Sequence, residues 1–167
     1  MGKTSASNSE VIQMTEIINE TPTTPQDTPV STSTSKINLA VEYVINTINA
    51  MTPFATMTRG ALPTTNGLTC EIAPSNVSEV YYDKNSYIEL TLALNGKHDN
   101  LQTLSETLNN IIDTLTRSKT YSNGNGWEIV DITNGNLPRI IGREDNGLWL
   151  MACDLVVKIY RKDDETA

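Results

Sequence analysis

The chain has 167 residues, with 20 acidic against 12 basic side chains and a formal net charge of -8. That length fits one domain with a sizeable core and some chain left over. The charge excludes a surface that grips duplex nucleic acid unless a local basic cluster overcomes the overall field, and the nearest approach to one, Arg139 and Arg143, is followed at once by Glu144 and Asp145.

Residues 1–35 are rich in Thr, Ser and Pro and nearly free of large apolar side chains after residue 20. Such a stretch cannot bury enough surface to offset its ordering entropy, so it reads as an arm. Within it, Ser9 is a candidate cap for a short helix that places Val11, Met14, Ile17 and Ile18 near one another. Alone, so short a helix is marginal. Two readings follow: a disordered tail, or a docking peptide that orders against a neighbouring subunit.

The folded domain is expected over residues 36–162, with 163–167 as an acidic tail. Ser35 is a candidate cap for a helix whose Ile37, Val41, Val44, Ile45 and Ile48 recur at helical spacing, and Pro53 forbids its continuation. Residues 54–57 suggest a short strand, 59–67 a turn-rich link, and GLTCEIA a strand that points Leu68, Cys70 and Ile72 one way. Residues 74–86, PSNVSEVYYDKNS, read as a long loop carrying Tyr81, Tyr82, Asp83 and Lys84. A loop of that length is uncommon unless it is used. Its tyrosines suit a contact surface, although one could equally fold back onto the sheet.

Residues 85–117 carry the clearest pattern in the chain. Ile88, Leu90, Leu92 and Leu94 alternate along an extended segment, and then Leu101, Leu104, Leu108, Ile111, Ile112 and Leu115 form a helical stripe. Asp99 is the expected cap of that helix, with Gln102 at the capping-box position; Arg117, Lys119 and SNGNG mark its end. WEIVDI predicts a strand. TNGNLPRIIGREDNG follows as either an extended hairpin tip or a projecting loop, and Pro138 argues against a central strand there. The last strand places Trp149, Met151, Cys153, Leu155, Val157 and Ile159 on one face. Its other face starts too apolar for plain water contact, so a helix or another subunit is expected to cover part of it.

Motifs for chemistry are weak. His98 is the sole histidine and sits in GKHDN just ahead of a helix, where a surface residue near a helix N-terminus is a simpler reading than a catalytic one. No carboxylate pair is placed so that one environment raises a pKa while another lowers it. Cys70 and Cys153 sit in apolar strand-like runs as free thiols, and two thiols with one histidine do not make a zinc site. The glycines of NGNG and NGLW are turn chemistry rather than phosphate cradles. The expectation is a protein without catalysis, cofactor or metal. No run approaches the ~20 apolar residues of a membrane span, and MGKTSASNSE lacks the apolar run of a secretory signal, so the expected place is the cytoplasm, with no membrane partner.

The order of elements resembles the small minor capsid or tail-terminator proteins of long-tailed bacteriophages over roughly residues 36–162. The resemblance rests on INLAVEYVINTINAM, GLTCEI, SYIELTLALNGK followed by DNLQTLSETLNNIIDTL, and the closing WEIVDITNGNLPRIIGREDNGLWLMACDLVVKIYR, whose KIYRK end is similar to the basic tip of relatives. The arm before Ser35 departs from that pattern. What the resemblance implies is a virion subunit that forms a ring, of six copies, capping the tail tube, ending tail assembly and joining the tail to the neck of the head. Its partners would be copies of itself, the tail-tube protein and neck or connector proteins, with DNA passing through an acidic lumen unbound.

The expected fold is α+β, two helices on one face of a mainly antiparallel sheet with an extended N-terminal arm. Expected contact residues are Tyr81, Tyr82, Asp83 and Lys84 in one loop and Arg139, Ile140, Ile141 and Arg143 in another. A head-completion or stopper subunit is the nearest alternative. A small-molecule-binding regulatory module is the alternative of a different class.

Overall fold

The computed structural model describes residues 35–81, 85–121 and 123–162. The expectations for the arm and for the acidic tail therefore lie outside the described residues, save for Ser35.

The elements follow in the order α1 (Lys36–Ala50), β1 (Met57–Arg59), β2 (Gly67–Ile72), β3 (Asn76–Val80), β4 (Ser86–His98), α2 (Leu101–Arg117), β5 (Asn123–Gly124), β6 (Trp127–Arg143) and β7 (Trp149–Arg161). The fold is α+β. Seven strands form one sheet in the order β1-β2-β4-β7-β6-β5, with β3 paired to β4. Every pairing is antiparallel except β1 with β2.

The alternation of β4 is realised residue by residue: Ile88, Leu90, Leu92 and Leu94 are buried while the residues between them are half-buried. Met151, Cys153, Leu155, Val157 and Ile159 of β7 share that face, and the two strands pair without interruption from Ser86 with Arg161 to His98 with Trp149. Onto this face α2 sets Leu104, Leu108, Ile111, Ile112 and Leu115, and α1 sets Ala40, Val41, Val44, Ile45 and Ile48. Full burial of each large aliphatic side chain contributes about 1.5–3 kcal/mol, so the shared stripe is the main stabilising feature.

Four local expectations are corrected. The cap of α2 is Asn100, whose side chain accepts from the amides of Gln102 at 2.9 Å and Thr103 at 3.1 Å. Asp99 is not the cap, and no capping box forms, because the Gln102 amide turns forward to Glu106 at 2.8 Å. Ser35 occupies the cap position of α1 without a side-chain hydrogen bond. The first strand is Met57–Arg59, not residues 54–57, held to α1 by Asn49. That side chain accepts from the Met57 amide at 2.7 Å and donates to the Met57 carbonyl at 3.1 Å, as a neighbouring strand would.

Finally, residues 76–80 of the expected loop are strand β3. β2 and β3 run one after the other against β4, β2 opposite Leu92 to Lys97 and β3 opposite Ser86 to Glu89. Between them the Ala73 amide donates to the Thr91 carbonyl at 2.9 Å, and the Thr91 amide to Ser75 Oγ at 3.0 Å. The pair acts as one interrupted partner strand, and Pro74, which has no amide hydrogen, sits in the interruption.

Gly96 lets α2 approach the sheet: a Cβ there would lie 2.5 Å from Leu104 Cδ1 and 3.1 Å from Leu68 Cδ2. Both leucines are fully buried, so neither can swing away freely. Gly96→Ala should cost about 1–3 kcal/mol in urea unfolding. Leu104→Ala should cost less in that background than alone, since the added methyl fills part of the hole; equal costs would place the clash elsewhere.

Candidate interaction surface

A free sheet edge needs an unpaired strand, and this sheet has two that differ. β6 has 17 residues and β7 has 13, and the surplus is absorbed at four register shifts, at Ile129/Asp131, Asn134/Asn136, Asn136/Arg139 and Ile140/Gly142. Gly135, Pro138 and Gly142 fall in or beside these shifts, where residues that tolerate or enforce a broken ladder belong. β5 covers β6 only at Trp127 and Glu128. Among the described residues nothing pairs with the rest of its outer edge. Along that edge Val130, Leu137, Ile140 and Ile141 are exposed, Leu137 at 67% and Ile141 at 59%.

Arg139, Ile140, Ile141 and Arg143 are therefore on a strand, not a projecting loop; the turn proper is confined to residues 144–148. The extended-hairpin alternative describes this segment, and Pro138 is admitted because β6 is an edge strand over most of its length. The two arginines differ in use. Arg143 donates from Nε to the Gly147 carbonyl at 3.0 Å, and its guanidinium lies 4.9 Å from the Trp149 ring centroid, so it fastens the hairpin tip. Arg139 is exposed, and no hydrogen bond or ion pair ties its guanidinium to another described residue.

Lys97, on β4, is buried and reaches across to Glu144 in the turn, Nζ to Oε1 at 2.7 Å. The Glu144 carboxyl also accepts from Asn146 at 3.0 Å. These bonds, Lys97 first and Asn146 second, hold the Glu144 carboxyl below its ordinary pKa of 4.5.

The opposite edge of the sheet is the outer side of β2 and β3. β1 covers Leu68 to Cys70, and from Glu71 to Val80 no described strand lies outside. Here Ile72 is 41% exposed and Tyr81 45%. Tyr81 folds back onto the sheet in part: its ring meets Tyr87 edge-on with centroids 5.9 Å apart, and its hydroxyl donates to Glu79 Oε2 at 2.8 Å. That bond to the carboxylate leads the causes that push its pKa up to about 12. Tyr87 meets Tyr160 at 5.0 Å, with Lys158 Nζ 4.9 Å from the Tyr87 centroid. Tyr82, Asp83 and Lys84 lie outside the described residues. The two expected contact clusters are thus not one site, since β4 and β7 separate the β3 edge from β6, roughly 14 Å at ordinary strand spacing.

Other chemistry-bearing groups are accounted for structurally. His98 Nδ1 lies 2.8 Å from both the Asn100 amide and Asp99 Oδ1; it accepts from the first only when unprotonated and donates to the second only when protonated. Its ring stacks edge-on against Phe54 at 4.5 Å. Among the described residues no three metal-ligating side chains gather, and no helix is long and apolar enough to cross a membrane. A depression of about 390 Å³ at one end of the sheet is lined by Thr64, Thr65, Asn66, Asp99, Asn146 and Leu148, a lining with one apolar side chain where ligand pockets are mostly apolar.

Cys70 and Cys153 are both opposite Leu94, on either side of β4, hence about 9–10 Å apart where a disulfide needs less than about 7 Å. Burial raises their pKa values to about 11 and about 12.

No family model matches the chain, and no curated protein matches it. Among solved structures, a chain of "Virion of native gene transfer agent (GTA) particle" is similar at 10% identity with a TM-score of 0.41, covering 74% of this chain and 90% of that one. At that level the likeness assigns neither a family nor a role.

Two outcomes follow. A carboxyl held below its ordinary value contributes stability that is present above pH 4.5 and is lost as the pH falls through its folded-state titration; Lys97→Met should therefore flatten part of the acid limb of a stability-against-pH curve, and an unchanged limb would exclude the clamp. Both thiols should resist iodoacetamide at pH 8 in the folded protein and react on denaturation; rapid native labelling would show that one of them is reachable.

Proposed function

We propose that this chain is a structural virion subunit that assembles into a ring, six copies in the form the resemblance implies, capping a tail tube, ending its growth and joining tail to neck. It acts by interface geometry, with no cofactor and no turnover, in a particle assembled in the host cytoplasm. The sequence resemblance over residues 36–162 supports this reading. So does the α+β domain, which has the helices, central strand and closing pair of strands that the resemblance implies.

The observation that carries it is the pair of dissimilar uncovered edges on opposite sides of one sheet. A cyclic ring is built from a heterologous contact, in which one patch meets a different patch of the next copy. A protein made for that task must offer two such patches, one on each flank. The acidic balance of the chain, -8 overall, suits a lumen that DNA traverses, since phosphate contacts need positive charge.

The test is assembly itself. Purified protein should give a discrete closed oligomer by light scattering and a ring with a central hole in negative stain, and adding it to polymerising tail-tube protein should stop elongation. Ile140→Asp with Ile141→Asp should abolish the ring while leaving unfolding stability within about 0.5 kcal/mol per site, as expected for exposed positions. A monomer at high concentration that leaves tube length unchanged would refute the reading.

A further inference from the structure

The two free edges carry matching chemistry on matching faces. On β6, Arg139 pairs with Ala152, on the face away from the helices, whereas Ile140 pairs with Met151 on the helix-covered face. On β2, Glu71 pairs with Ala93 and Ile72 with Leu92, which puts Glu71 on the open face and Ile72 on the helix face. One edge thus presents a cation on the open face and an isoleucine on the other; the opposite edge presents an anion and an isoleucine in the same two places. All four are exposed, Ile72 at 41% and Ile140 at 52%. Neither the Arg139 guanidinium nor the Glu71 carboxylate is hydrogen-bonded or ion-paired to another described residue.

We propose that the β6 edge of one copy docks on the β2–β3 edge of a second copy, Arg139 meeting Glu71 on the open face and Ile140 meeting Ile72 as its diagonal neighbour on the helix face. This rests on the reading of the chain as a ring subunit and names the two surfaces that meet. The directions fit: β6 runs with β4 and against β2 and β3, so in a sheet continued around a ring axis the docked edges are antiparallel. Recognition is by side chains rather than by a continued ladder. The four register shifts of β6 break the even spacing of backbone donors that strand addition needs. Because the two edges differ, the contact is head-to-tail and can close.

The experiment is a charge swap read by self-association of the purified full-length chain. Arg139→Glu and Glu71→Arg should each weaken association by at least ~10-fold, as like charges placed together do, and raised salt should weaken the unaltered contact. Both substitutions in one chain should restore it to within roughly threefold. Mixing the two single variants should restore association, because every junction between unlike variants sets opposite charges together and an even-membered ring of alternating copies can close. Thermal unfolding of each variant, expected to be unchanged, separates these effects from misfolding. Singles that associate like the unaltered chain, or a double variant that is not rescued, would overturn the pairing while the ring reading stands. A chain that never associates and never caps a tube would instead remove the ring reading and this inference with it.

Discussion

The uninterrupted pairing of β4 with β7 is the constraint on which everything else depends. Thirteen residues on each strand match one for one, and because side chains alternate, this single register decides which residues of both strands face the helices. A slip of one residue would turn one of the two sets, Leu90, Leu92 and Leu94 or Cys153, Leu155 and Val157, to the open face. The helices have no other apolar platform of that size. Gly96 fixes the position of α2 along the pair by admitting Leu104, and the α2 cap at Asn100 follows only two residues after β4 ends, so strand register and helix placement are one decision.

Both flanking edges inherit their faces from that pair. β2 and β3 read their register from β4, and β6 reads its own from β7, so the open-face and helix-face assignments of Glu71, Ile72, Arg139 and Ile140 all trace to one ladder. The bulges in β6 spend four residues without moving its ends relative to β7. Bulging an exposed edge guards against indiscriminate strand addition, which matters for a chain that carries Val130, Leu137, Ile140 and Ile141 in the open. What remains is an edge whose specificity resides in side chains.

The sequence was most legible where one periodicity ran without a competing signal. β4, α2 and β7 show this: their alternation or helical stripe is long, and the structure buries the expected residues. Legibility failed where pairing was interrupted. β3 looked like loop because Pro74 and a run of small polar residues break the alternation, yet β4 is long enough to hold two short strands end to end. β6 is longer than its sequence pattern shows because bulges erase period-two alternation, the signal by which a strand is recognised. Asn100 and Asp99 are equally good caps by type, so residue type alone does not choose between them. Asn49 left no signal at all, since its bonds to Met57 depend on how α1 lies against β1. For the surface, Ile72 alternates with Leu68 and Cys70 and reads as core; it is exposed at the outer side of the sheet, where β1 covers β2 only as far as Cys70, a fact of strand placement rather than of pattern.

The hairpin tip shows how the interior reaches the surface. Lys97 is buried at its point of origin on β4 and spends its charge on Glu144, while Arg143 is held by Gly147 and Trp149. Both contacts lie within a few residues of Ile140 and Ile141. A tip that is already fastened loses little conformational freedom when a partner arrives, and that saving appears directly as affinity. The division of labour between the two arginines follows from this: Arg143 is used up in making the edge rigid, which leaves Arg139 as the charge that the rigid edge presents.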